Sequence, residues 1–266
     1  MAFFTLPVAK VTEVSNVIKN LISVSPDIKT VYWGMFFDDF WNDKNDEVND
    51  TLPDFSSKRV ELQDFVNLFF SYNTTKYSME TIRDSVKNHG QDIIYVYPFR
   101  EIAKKKYDKK FTLEALKNIE ETRAFADKHG VKLVIYYSPI HVTKKMHVLS
   151  KGQWEDYQEL KRQMAQLTDF YDYSMFNEYN STPLDENNKY FVDNIHPATD
   201  FNNLIVNDLL SKDKKIGVLV TKNNVNALLD KDFSELNKYI SEHKSLFEQI
   251  KNVSEKDSTE KIRKKI

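Results

Sequence analysis

An α/β domain built on a parallel central sheet is the fold class the sequence predicts, on three observations. Helix-period and strand-like segments alternate along the chain. The clearest strand, Val131–Tyr137, follows directly on a long helix that Gly130 terminates. Aromatic residues make up 13% of the 266, enough to fill the core such a sheet needs.

Residues 8–24 place Val8, Val11, Val14, Ile18, Leu21 and Ile22 on one face, an amphipathic helix ended by Ser25-Pro26. Thr30–Phe36 is short and rich in β-branched and aromatic residues, the composition of a buried strand. Residues 42–57 are polar and turn-rich, a surface loop. Helical patterning returns over 59–71 and 78–88, where Ser78 and Thr81 give a weak cap. Thr112 opens a long helix to His129 with Leu113, Leu116, Ile119 and Phe125 inward. After the strand Val131–Tyr137, closed by Ser138-Pro139, a helix over Trp154–Leu167 leads into a short strand, Phe170–Tyr173. A helix at 200–210 follows Asp193-Asn194-Ile195-His196-Pro197, and the last thirty-odd residues are charged and helical. No repeat at solenoid periods is present.

Composition removes several classes of function. With 38 Lys+Arg against 40 Asp+Glu the net charge is -2, without the basic excess of a nucleic-acid binder. Mean hydropathy is -0.57 and no apolar run approaches the roughly 20 residues of a membrane span. The start MAFFTLPVAK has neither the basic nor the apolar region of a signal peptide. Zero cysteines exclude disulfides, thiolate metal sites and a Cys nucleophile. Five glycines are few, and neither G-x-G-x-x-G nor G-x-x-x-x-G-K occurs, so no phosphate-cradling loop or nucleotide cofactor is expected. Lys104-Lys105-Lys106 and the KIRKKI tail read as solvated surface, since the whole chain is charge-balanced.

In an open parallel sheet, ligands bind beyond the carboxyl ends of the strands. Three segments lie at or near such ends: Gly34 to Asp39, Ser138 to His141, and Asp193 to Pro197. The third is the sharpest. Asp and His three apart at a loop-to-helix junction can set a carboxylate against an imidazole, fixing its tautomer and stabilising the imidazolium. The competing reading is an Asp that caps a turn and a His in a surface pocket. A metal held jointly by His141, His196, Asp193 and Asp39 lacks the paired-His helix spacing that would support it, so no metal is expected. His141 reads as a buried, hydrogen-bonded pocket residue. His89 and His129, beside Gly90 and Gly130, read as helix-terminal histidines.

In that context D-x-x-H-P, followed by the helix Asn203–Leu210, resembles the last block of the SGNH (GDSL-type) hydrolases, and bacterial envelope-type members in particular. The resemblance rests on Ser138-Pro139-Ile140-His141, Trp154 with Lys161-Arg162, Asp172-Tyr173-Ser174, Tyr190 to His196, and Gly217 to Val225, in that order. It implies a flavodoxin-like three-layer α/β/α domain over residues 1–230, with 231–266 as a charged helical extension. It also implies ester hydrolysis or O-acyl transfer on a cell-envelope polysaccharide, with His196 as general base and Asp193 as its orienting acid. Asp39, His141, Ser138 and Gly34 would line the pocket. Members of this type are usually envelope proteins carried by an N-terminal membrane anchor.

The departures are equally specific. The family's serine follows its first strand in a G-D-S or G-S-S turn, and neither occurs in this sequence. In the family's order Ala2–Leu6 matches the second strand and Thr30–Met35 the third, so the first strand and its serine are expected to be missing. Leu6-Pro7 stands where a glycine donor belongs, and Asp38 and Asp39 stand in place of an Asn. An ionised carboxylate there would repel an oxyanion. Ser138 lies at a strand end close in sequence to His141, but Pro139 removes the N–H that should follow a nucleophile. The alternatives are therefore an acyl-ester enzyme without its nucleophile and a non-catalytic binding or structural module. Ala2–Leu6 as an unpaired edge would favour a homodimer or cover by the C-terminal helices.

Overall fold

A computed structural model describes residues 11–40, 109–185 and 187–255. The elements are α1 (Val11–Val24), β1 (Thr30–Met35), a 3-10 turn (Phe37–Phe40), α2 (Lys109–Lys128) and β2 (Lys132–Tyr137). They continue with α3 (Val142–Ser150), α4 (Trp154–Leu167), β3 (Phe170–Asp172), α5 (Thr199–Leu210), β4 (Val218–Val220), α6 (Val225–Glu242) and α7 (Lys244–Glu255). The segments Ala2–Leu6, 42–57, 59–71 and 78–88, with His89, lie outside the described residues.

The four strands form one sheet in the order β1-β2-β3-β4. β1 pairs with β2 in parallel from Thr30↔Lys132 to Met35↔Tyr137, and β2 pairs with β3 in parallel. β4 runs antiparallel to β3, which corrects the expectation of a wholly parallel sheet. The link from α5 to β4, Ser211 to Gly217, is anchored by Asp208. That carboxylate accepts N–H groups from Lys215, Ile216 and Gly217 at 2.7–3.2 Å and the Tyr173 hydroxyl at 2.9 Å.

Alternation along the strands divides the core. Trp33, Met35, Ile135, Tyr137, Phe170 and Val220 point into one apolar cluster, which α1, α2, α3, α4, α6 and α7 complete. Tyr32, Val134, Tyr136 and Tyr171 point the other way, against Phe201, Ile205 and Leu209 of α5. Two glycines let the strands carry these large rings. A Cβ on Gly34 would lie 2.6 Å from the Tyr136 ring, and one on Gly217 would lie 2.6 Å from Tyr173.

Helix α2 starts a turn before Thr112 and ends where Gly130 takes φ +67, with Val131 N–H returning to Ala126 O. Its inward face is Ala115, Leu116, Ile119 and Ala126. Leu113, expected inward, is 50% exposed, because it sits one residue off the stripe that packs on α1. The Ser15 and Thr122 hydroxyls meet at 2.5 Å where those two helices touch. The boundary expected at 230 falls inside α6, whose Leu229, Asp232 and Leu236 are buried, so the C-terminal helices belong to the core. Helix α3, whose lysines hide its apolar pattern, has no counterpart in the sequence reading. Among the described residues, no helix is long and apolar enough to cross a membrane.

Candidate functional site

The loop that carries Asp193 and His196 doubles back on itself. Val192 N–H donates to His196 O at 2.9 Å, and Phe191 bridges Pro197 in antiparallel fashion. At the tip, one carboxylate serves two purposes. Asp193 Oδ1 accepts the N–H groups of Ile195 and His196 at 2.8 and 2.7 Å, which closes the turn. Its Oδ2 meets His196 Nδ1 at 2.6 Å. The turn cap and the imidazole partner, alternatives in the sequence, are the same residue.

Asp193 is nearly buried while the His196 side chain is 50% exposed. Burial pushes the Asp193 carboxyl up, but the His196 ring and the two backbone donors outweigh it and hold the group below the usual carboxylate range. An ionised carboxylate can only accept, so Nδ1 bears the hydrogen of that contact.

The loop sits beside the carboxyl end of β2, because His141 N–H donates to Asn194 O at 3.0 Å. His141 is 1% exposed and caps α3 through its ring. Burial lowers its pKa to about 4, against a smaller opposing effect of the bond to Thr182 O. A cavity of about 180 Å³ adjoins it, lined by Thr143, Pro183, Leu184, Tyr239, His243 and Leu246 as well. That lining includes neither Asp193 nor His196. His243 caps α6 and stacks on Tyr239 at 3.9 Å.

The remaining candidates are placed as follows. Ser138 is buried at the end of β2, its N–H donating to Met35 O at 2.8 Å. Gly34 lies inside β1 beneath the Tyr136 ring. Asp39 belongs to the 3-10 turn after β1, and its side chain lies outside the described residues. Among the described residues, no group of three His, Asp or Glu side chains converges as a metal site would require.

The sequence reading missed a buried ionic cluster. Lys161 Nζ pairs with Asp172 Oδ2 at 2.7 Å and donates to Ser174 Oγ at 2.8 Å and Tyr157 Oη at 2.5 Å. Lys145 Nζ contacts Asp232 Oδ1 at 2.6 Å, and that oxygen also accepts Phe176 N–H. All four charged side chains are at most 1% exposed. Burial lowers the Lys145 pKa, with Asp232 opposing it; for Lys161 burial also lowers it, but Asp172 and its neighbours reverse the direction. A signal for Lys161 was available. It occupies the centre of the stripe Trp154, Tyr157, Leu160 and Met164, where a lysine must be buried and so must find a counter-charge. Nothing comparable marks Lys145.

Comparison of the chain with protein-family models, with curated proteins and with solved structures returns no match.

Proposed function

We propose that this chain carries the orienting acid and general base of an acyl-ester site of SGNH type without its serine nucleophile, related to enzymes that act on O-acylated polysaccharide of a cell envelope. The single observation that carries the reading is the 2.6 Å contact between Asp193 Oδ2 and His196 Nδ1, on a half-exposed ring beside a strand carboxyl end. In this chemistry His196 Nε2 removes the proton from an attacking hydroxyl, and the Asp193 carboxylate stabilises the resulting imidazolium. Helices against both faces of a mostly parallel sheet support the finer assignment to a three-layer, flavodoxin-like sandwich.

The second reading, a binding module without catalysis, is favoured by the absence of any G-D-S or G-S-S turn from the sequence. Both readings predict that this chain lacks turnover of its own, since loss of even one oxyanion donor costs ~10²–10³ in kcat.

Two measurements test the proposal. The 266-residue chain is expected to hydrolyse p-nitrophenyl acetate no faster than its His196→Ala variant. A His196-dependent rate abolished by Ser138→Ala would make Ser138 the nucleophile, and one lost only on chelation would assign a metal. For the substrate class, an O-acetylated oligosaccharide is expected to shift the His196 ring resonances in NMR, and its de-acetylated form is not. Should neither sugar move them, the polysaccharide assignment fails.

A further inference from the structure

His141 touches the Asp193–His196 loop by two routes, and both of its ring nitrogens are engaged within the protein. Its backbone N–H holds Asn194 O at 3.0 Å, and its ring stands edge-on to Phe191, with centroids 5.3 Å apart at 74°. Phe191 is the residue that bridges Pro197 and so closes the base of the loop. His141 Nε2 meets Thr182 O at 2.7 Å, and Nδ1 lies 3.2 Å from Thr143 N and 2.9 Å from Thr143 Oγ1. A carbonyl can only accept and a backbone N–H can only donate, so Nε2 bears the hydrogen and Nδ1 does not. The ring is thereby neutral and confined to one tautomer. The next residue extends the pattern, with Val142 N–H donating to Asn180 O at 2.8 Å.

We propose that His141 is the positioning residue of the Asp193–His196 pair: its neutral ring ties Thr182 to Phe191 and so fixes the loop that sets His196 against Asp193. The proposal rests on reading that pair as an acid–base unit. Burial supports it, since a ring whose pKa is lowered to about 4 stays neutral at ordinary pH.

The test is NMR on the 15N-labelled, full 266-residue chain. The His196 Nδ1–H, held 2.6 Å from a carboxylate oxygen, should give a downfield proton resonance that disappears in Asp193→Asn and in His196→Ala. His141→Asn keeps an acceptor for Thr143 N–H but cannot reach Thr182 O. In that variant solvent exchange of the resonance should accelerate about tenfold, with unchanged far-UV circular dichroism. His141→Gln, whose longer amide can donate to Thr182 O, should restore slow exchange. If the resonance is missing from the wild type, or survives Asp193→Asn, the acid–base reading is what fails, and the positioning role falls with it. If it depends on Asp193 yet is unchanged in folded His141→Asn, the positioning role alone is overturned. Should His141→Asn not fold, Phe191→Leu removes the ring contact with His141, together with the one to Phe201, and carries the same test, with unchanged exchange overturning the proposal.

Discussion

Asp193 closes its turn with Oδ1 and holds a histidine with Oδ2, and an amide in its place separates those functions. Asp193→Asn retains an acceptor for Ile195 and His196 N–H but offers Nδ1–H no partner. It should cost about 1–3 kcal/mol at neutral pH. Because the folded carboxyl is held below its unfolded value, this stability is fully present above the ordinary carboxylate range. It is lost as pH falls through the lower folded value, so urea titrations should show wild type and variant converging in acid. His141 acts in a different window. Its folded pKa of about 4 lies below the unfolded value near 6.5, so the unfolded chain binds the extra proton between them. Stability should therefore fall by up to about 3 kcal/mol from pH 6.5 to 4. His141→Gln should lack that slope; an equal slope in both proteins would assign it to other groups.

At the scale of elements, α6 is fastened to α3 by one buried ion pair, Lys145–Asp232. Breaking such a pair is costlier than never having it, because the remaining charge is stranded away from water. Asp232→Ala should lower stability by about 3–5 kcal/mol, while Lys145→Met with Asp232→Leu should recover the part due to the stranded charge, the Phe176 N–H losing its acceptor in both. Thermal melts of the two variants decide the matter, and equal losses would mean that packing and the Phe176 bond, not charge, hold α6. The same elements explain what was legible in the sequence. Helix α4 and the strands β1 and β2 have the expected bounds to within a residue, because one apolar period dominates each of them. Helix α3 was not legible, since its sequence VTKKMHVLS buries two lysines and a histidine that read as surface. Its burial is decided by Asp232, 87 residues further on, which no local pattern can encode. Strand β4 was legible only as a motif, being three residues long and paired through a turn that Asp208 builds from a distance.

For the molecule as a whole, the short motifs that suggested a family prove to do different kinds of work. Lys161, Asp172 and Ser174 form one buried cluster. Tyr173 and Gly217 share the Asp208 carboxylate. Asn224 Oδ1 accepts Thr221 N–H at 2.7 Å and leads β4 into α6. These residues hold the fold together, whereas the Asp193–His196 pair presents a half-exposed imidazole. The candidate site was thus readable from a spacing of three, whereas its support by His141 needed the tertiary structure. The Lys145–Asp232 pair also imposes a timetable on the ribosome. Lys145 is synthesised 87 residues before its counter-ion. At 5–20 residues per second that leaves it waiting roughly 4–17 s. During that interval Lys145 lacks the carboxylate it pairs with, so the packing of α3 against α4, α6 and α7 is incomplete. Nascent chains linked to a force-sensitive arrest peptide should therefore pull only once Asp232 has left the exit tunnel. The Lys145→Met/Asp232→Leu double variant, free of that wait, should begin to pull at shorter chain lengths.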